Sequence, residues 1–190
     1  MKSDNCIVKL FNVQLLSEQK SIDDNQLIGH CDENKLLQQF ARLNIMSPEG
    51  IVQLVTEKPM LNTCNAVADV LIKINKIITK SKLSAKENLY VKLYNGLRYF
   101  DESICQQRFS AEEKHLTNYQ DCLQELHEDL IECEGPPDWF EKTNEDVVCQ
   151  YYNDIINCHY TKAAMLCGLK PAKLFRSFSM GIMHEVVKMS

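Results

Sequence analysis

Asn144-Glu-Asp-Val-Val-Cys149-Gln-Tyr-Tyr-Asn-Asp-Ile-Ile-Asn-Cys158-His-Tyr-Thr-Lys-Ala-Ala-Met-Leu-Cys167-Gly168 is the stretch on which the fold turns. Thr143 or Asn144 supplies an N-cap oxygen, Glu145 and Asp146 place negative charge in the first turn, and Gly168 ends the run. The stretch therefore reads as one long helix over 145–167. Working backwards, Gly135-Pro136-Pro137 closes a preceding helix over 111–133, so the two should form an antiparallel hairpin around Asp138-Trp139.

The same signals recur along the chain. Ser47-Pro48-Glu49 is an N-cap with proline at the first helical position, opening a helix that should end near Lys58-Pro59. Ser84 with Glu87 and Ser110 with Glu113 read as capping boxes. Apolar residues between the caps keep a helical period. One stripe is Val67, Val70, Leu71, Ile74, Ile77 and Ile78; the next is Leu89, Leu93, Leu97, Phe100 and Ile104. A third runs Leu116, Tyr119, Leu123, Leu126 and Leu130, and the last segment, past Gly168 and Pro171, offers Leu174, Phe178, Ile182 and Val186. Only Val8 to Leu15 is ambiguous between strand and helix. The expectation is an all-α, single-domain bundle of about six or seven helices, stapled by disulfides, with an irregular segment over 1–30 and the helical domain over 31–190.

Composition narrows the function classes. A net charge of −5 leaves no Lys/Arg surplus for phosphate neutralisation, so no nucleic-acid partner is expected. No apolar run is long enough for a transmembrane span. Ile7 to Leu16 is interrupted by Lys9, Asn12 and Gln14, which denies it the continuous apolar core of an export signal. Either the chain is cytoplasmic, or a signal has been removed and Met1 is foreign to the mature chain. The nine cysteines arbitrate. None forms a C-x-x-C knuckle, and His30 and His159 merely adjoin Cys31 and Cys158, so zinc is not expected. Successive spacings of 11, 16, 9 and 9 from Cys122 to Cys167 suit cross-links between helices. Disulfides in turn imply a secreted, extracellular protein.

Helix register suggests the pairs. Cys64 and Cys105 lie almost equally far from the turn near Leu83 between helices over 63–81 and 85–106, so they should meet at the open end of that hairpin. Cys133 and Cys149 should face each other across the closed end of the next one. Cys122 matches Cys158 in register, with Cys167 as the alternative. Cys31 is a further candidate, and Cys6 is the thiol most readily left over from an odd total.

Cys122-x10-Cys133-Glu-Gly-Pro-Pro-Asp-Trp139, together with the Cys149, Cys158 and Cys167 run, resembles the C-terminal part of small secreted, cysteine-rich helical proteins of invertebrates, the insect hemolymph-protein-like type. The resemblance rests on cysteine rhythm over about 60 residues and implies secretion and disulfides. It carries no catalytic residues.

Other chemistry is hard to find. His184-Glu185-Val186-Val187-Lys188 begins like H-E-x-x-H but has lysine where the second zinc ligand belongs. Phosphate loops and a nucleophile elbow are missing from the sequence, and the five histidines read as surface residues. Cys158 and His159 are adjacent on a helix and point about 100° apart, a poor nucleophile–base pair. Glu112, Glu113, Asp121, Glu125, Glu128, Asp129, Glu132 and Glu134 form an acidic stretch; Lys73, Lys76, Lys80, Lys82, Lys86, Lys92 and Arg98 form a basic one that should complement it or solvate its own helices. Trp139 and Phe140 in the Pro-Pro loop, with Phe175, Phe178 and Met183 in the last helix, are the candidate partner or ligand surface, with core packing the competing reading.

The chain therefore reads as a secreted, non-enzymatic binding protein, without cofactor or metal, that holds a protein partner or a small apolar ligand. The alternative is a cytosolic helical adaptor or inhibitor of the viral-bundle type, with a groove for a partner helix. Alkylation of the natively isolated protein before and after reduction is expected to show most cysteines protected and at least one free; full alkylation without reduction would remove the disulfide scheme.

Overall fold

The computed structural model describes residues 24–81, 88–106 and 116–187, with side chains from residue 33 onward. Among them are eight α-helices and no strand: α1 Asp24–Ala41, α2 Pro48–Gln53, α3 Met60–Ser81, α4 Leu89–Phe100, α5 Gln120–Glu125, α6 His127–Ile131, α7 Glu145–Cys167 and α8 Leu169–Val187. The all-α, disulfide-stapled bundle is thus present. Helical structure begins at Asp24, within the stretch expected to be irregular.

Local chemistry accounts for the helix ends. Asn44 takes the left-handed conformation, φ 55°, that stops α1. The Asn44 amide then bonds to Ala41 O at 3.2 Å and that of Ile45 to Phe40 O at 3.1 Å, the double closure of a Schellman cap, and Ile45 buries itself against the core. Ser47 Oγ accepts from the Gly50 amide at 3.2 Å, and Pro48 occupies the first position of α2. A 3-10 turn over Leu54–Thr56 carries α2 on towards Lys58-Pro59, the expected end. Asn144 Oδ1 caps α7, accepting from the Asp146 and Val147 amides. Asn88 caps α4 with its Oδ1, while its Nδ2 donates to Glu33 of α1 at 2.7 Å. The Ser84/Glu87 and Ser110/Glu113 boxes, Cys6 and the Val8–Leu15 stretch lie outside the described residues.

Gly168, φ 88°, lets α7 pass straight into α8, and these two helices pack along each other. α8 is the spine of the core. Phe175, Phe178, Ile182, Met183 and Val186 are all buried on it, and α4 lies across the same face through Leu93, Leu97 and Phe100. Gly96 permits that approach, since a Cβ there would stand 2.7 Å from Val186 Cγ2 and 3.1 Å from Ile51 Cδ1. α3 joins through Val67, Val70 and Ile74, and the π-helical turn Asp101–Cys105 continues α4 back to it.

The expected helix over 111–133 is broken where it is described. A 3-10 turn, Leu116–Tyr119, leads to α5, and Leu126 interrupts the chain before α6, though Leu116, Leu123, Leu126 and Leu130 keep their apolar stripe inward. This break into α5 and α6 accounts for a helix count above six or seven.

The disulfides correct the register. Cys64–Cys105 forms as expected, with Cα atoms 5.5 Å apart. Cys122 pairs with Cys167, not Cys158, at a Cα separation of 5.7 Å. Cys133 pairs with Cys158, not Cys149, at 5.6 Å. The match of eleven residues on one strand of the hairpin to nine on the other survives, displaced by one nine-residue step along α7. The physical reason is the connection: a 3-10 turn at Trp139–Glu141 makes it a wide loop and not a tight hairpin. Nine residues at about 100° each also place Cys158 and Cys167 on opposite sides of α7, so the 116–133 segment crosses that helix instead of lying along it. Cys149 is disulfide-bonded as well, its partner not being among these six cysteines; the Cys31 side chain lies outside the described residues.

Replacing both Cys122 and Cys167 by serine opens a loop of 45 residues and is expected to cost about 3–4 kcal/mol in denaturant unfolding. A non-reduced peptide map should recover Cys133 linked to Cys158; recovery of Cys133 linked to Cys149 would contradict this register.

Candidate functional site

Most of the aromatic and methionine candidates are core residues. Trp139, Phe175, Phe178 and Met183 are buried, and Phe140 is half-buried edge-on to Trp139, with ring centroids 5.7 Å apart. The four buried side chains are therefore no partner surface. Phe178 meets Phe100 edge-on at 6.0 Å, and Phe175 lies 5.8 Å from the His159 ring. The reason is α8 itself: its aromatic and aliphatic residues recur on the face that α4 and α7 cover.

Trp139 is fixed by a carboxylate. Glu49 in the first turn of α2 is 1% exposed, and its Oε1 accepts from Trp139 Nε1 at 2.6 Å and from the Gly135 amide at 3.2 Å. Gly135 sits so close to the indole that a side chain there would collide with it. The sequence conceals this contact, because a glutamate after Ser-Pro reads as an ordinary first-turn acid.

His159 departs from the surface reading. It is 1% exposed, neither ring nitrogen has a hydrogen-bond partner among the described residues, and burial pushes its pKa down from 6.5 to about 4. Ile155, His159 and Ala163 recur every fourth residue and are all buried, a stripe visible in the sequence that would have placed this histidine inward. Cys158 beside it is bonded to Cys133, so the pair offers no thiolate nucleophile. His184 is exposed and His127 half-buried, its Nδ1 2.8 Å from Thr56 Oγ1; His30 and His115 lie outside the described side chains.

The feature the sequence did not announce is an open groove between α6 and α7. It has a volume of about 480 Å³ and is lined by Asp129, Asn157, Cys158, Thr161, Lys162, Met165 and Leu166. Asn157, Thr161 and Met165 share one outward face of α7 at four-residue spacing, and the Cys133–Cys158 bridge ties the α6 side to it. Lys162 clasps the edge, donating to Asp129 at 2.8 Å and to Glu132 at 2.6 Å, and these bonds raise its pKa. The acidic stretch thus finds its cation on α7. On α3, Asp69 takes Lys73 at 2.7 Å and Arg42 of the α1 end at 2.9 Å, which lowers its pKa, so Lys73 pairs within its own helix. Met165 is 81% exposed, Leu166 43%, and Leu169 beyond the corner 65%.

A second hollow, of about 430 Å³, is lined by Thr56, Glu57, Lys58, Gln124, Glu125 and His127. Among the described residues no three Cys, His, Asp or Glu side chains gather as a metal site, and no helix is long and apolar enough to cross a membrane. Comparison with family models, with curated proteins and with solved structures finds no match.

The depressed pKa of His159 means that the folded state binds no proton there until well below the unfolded value of 6.5. Its stabilising effect is complete above pH 6.5 and is lost as pH falls towards about 4. The stability difference between about pH 7 and pH 4.5 is expected to be roughly 2–3 kcal/mol smaller in His159→Phe than in wild type, measured by urea unfolding; equal slopes would show that the ring is hydrated in the fold.

Proposed function

We propose that this chain is a disulfide-stapled, non-enzymatic binding protein of an oxidising, extracellular setting, which holds a small apolar ligand or a protein partner in the groove between α6 and α7. The observation that carries this reading is the groove itself: exposed Met165 and Leu166 beside the Lys162–Asp129–Glu132 cluster, on helices locked by a bridge. Its size falls within the range of about 300–1,000 Å³ usual for small-molecule sites, and a methionine adapts its shape to an apolar guest. Rigid walls suit binding, because little ordering remains to be done when the guest arrives.

Secretion draws support from the bonded state of Cys64, Cys105, Cys122, Cys133, Cys149, Cys158 and Cys167. It agrees with the cysteine rhythm shared with the hemolymph-protein-like type. A cytosolic adaptor would have to keep these thiols reduced, so that reading is the weaker one. For the absence of catalysis the support is chemical: His159, the one fully buried histidine among the described residues, has no hydrogen-bond partner there, and the thiol beside it is bonded.

Nile red, a neutral apolar dye, is expected to bind the folded protein with increased, blue-shifted emission. Met165→Glu should weaken that binding roughly tenfold, since it sets a charge at the apolar wall. A dye that binds both proteins equally, or neither, would overturn the groove as an apolar site.

A further inference from the structure

We propose that the corner between α7 and α8 is a self-association surface, on which a second copy of this chain sits about a two-fold axis. Met165, Leu166 and Leu169 are all exposed on a few residues of chain at the Gly168 turn. A further shallow hollow is lined by Leu169, Lys170, Lys173 and Leu174, so apolar surface continues from α7 onto the start of α8.

Charge selects the occupant. On the α6 side, Asp129 and Glu132 share the single ammonium of Lys162, which leaves that edge net negative. On the α8 side Lys170 and Lys173 are exposed and have no ion pair among the described residues. Along the chain through the corner, Lys162 with its two acids comes first, apolar Met165, Leu166 and Leu169 follow, and Lys170 and Lys173 come last. A two-fold axis through the middle sets apolar on apolar and lays each copy's negative edge on the other's positive one. A partner of uniform charge would satisfy one edge and be repelled at the other, whereas a second copy satisfies both. This goes beyond the binding role, and it shares Met165, Leu166 and Asp129 with the groove, so a second copy seated here covers the groove's rim.

Sedimentation of the full, oxidised chain at low ionic strength tests it. The weight-average mass is expected to rise from one chain towards two as concentration increases. Met165→Asp with Leu169→Asp should weaken association at least about tenfold, with unchanged far-UV circular dichroism. Lys170→Glu with Lys173→Glu should weaken it by a similar factor, and adding Asp129→Lys and Glu132→Lys to that variant should recover most of the loss, because both edges then exchange sign. Wild type that stays at one chain mass at every concentration overturns the proposal, as does a Met165→Asp, Leu169→Asp variant that associates as tightly as wild type. Association that ignores the lysine reversals overturns the two-fold charge match. If the apolar variant loses its helical spectrum, the charge-exchange series decides alone. Mass is the readout, so a negative result leaves the groove's affinity for apolar ligands standing.

Discussion

The passage from α7 into α8 at Gly168 is the constraint on which the rest of the structure hangs. With φ 88°, this residue reverses the chain without a loop, so a 23-residue helix and a 19-residue helix lie side by side and share a face. That shared face supplies a surface against which α4 and α2 pack. A residue with a Cβ would be strained at this φ even though open space surrounds it, so backbone conformation, not crowding, requires glycine there. Upstream, the chain is tied to the pair at two points on opposite sides of α7, by Cys122–Cys167 and Cys133–Cys158. The cross-links hold a short, interrupted segment that has little helix to stabilise it: α5 and α6 have six and five residues, too few to persist on propensity alone.

Much of this was legible from residues alone. The Asn144 cap, the Ser47-Pro48 start, the Gly168 stop and the apolar stripes of α3, α4 and α8 follow from local chemistry, and local chemistry is what a sequence displays. The Cys64–Cys105 bridge was legible because only seven residues separate α3 from α4 in sequence, so positions can be counted outward from that short connection. Counting failed for Cys133 and Cys149, where the connecting chain makes a 3-10 turn at Trp139 and the partner segment breaks at Leu126. Tertiary contacts accompany both irregularities: Trp139 bonds to Glu49, and near Leu126 His127 meets Thr56 while Gln120 Nε2 donates to Val55 O. No propensity announces them.

The site was less legible than the fold, for a related reason. Aromatic residues attract attention as anchors, yet here most of the candidates fill the interior, while Met165, Leu166 and Leu169, which look unremarkable in the chain, are among the exposed apolar residues. On a helical projection Met165 falls outside the stripe of Ile155, His159 and Ala163, whereas Leu166 falls on it and is exposed one residue before α7 ends, and Leu169 opens α8. Lys162 and its two acids mark the boundary between that apolar surface and the acidic flank. The arrangement combines a rigid wall, an adaptable side chain and a fixed polar edge.

The hydrogen bond between Glu49 and Trp139 gives the molecule an internal optical reporter. Trp139 is the chain's sole tryptophan, so all indole fluorescence arises at one point: a ring in the wide loop after α6, shielded from water and bonded to a carboxylate of α2. Its emission wavelength therefore follows the docking of two segments 90 positions apart in sequence, and not the melting of any single helix. Because the disulfides keep α7 tethered when α2 detaches, the colour of that light separates partial opening from complete unfolding in a way that backbone signals cannot.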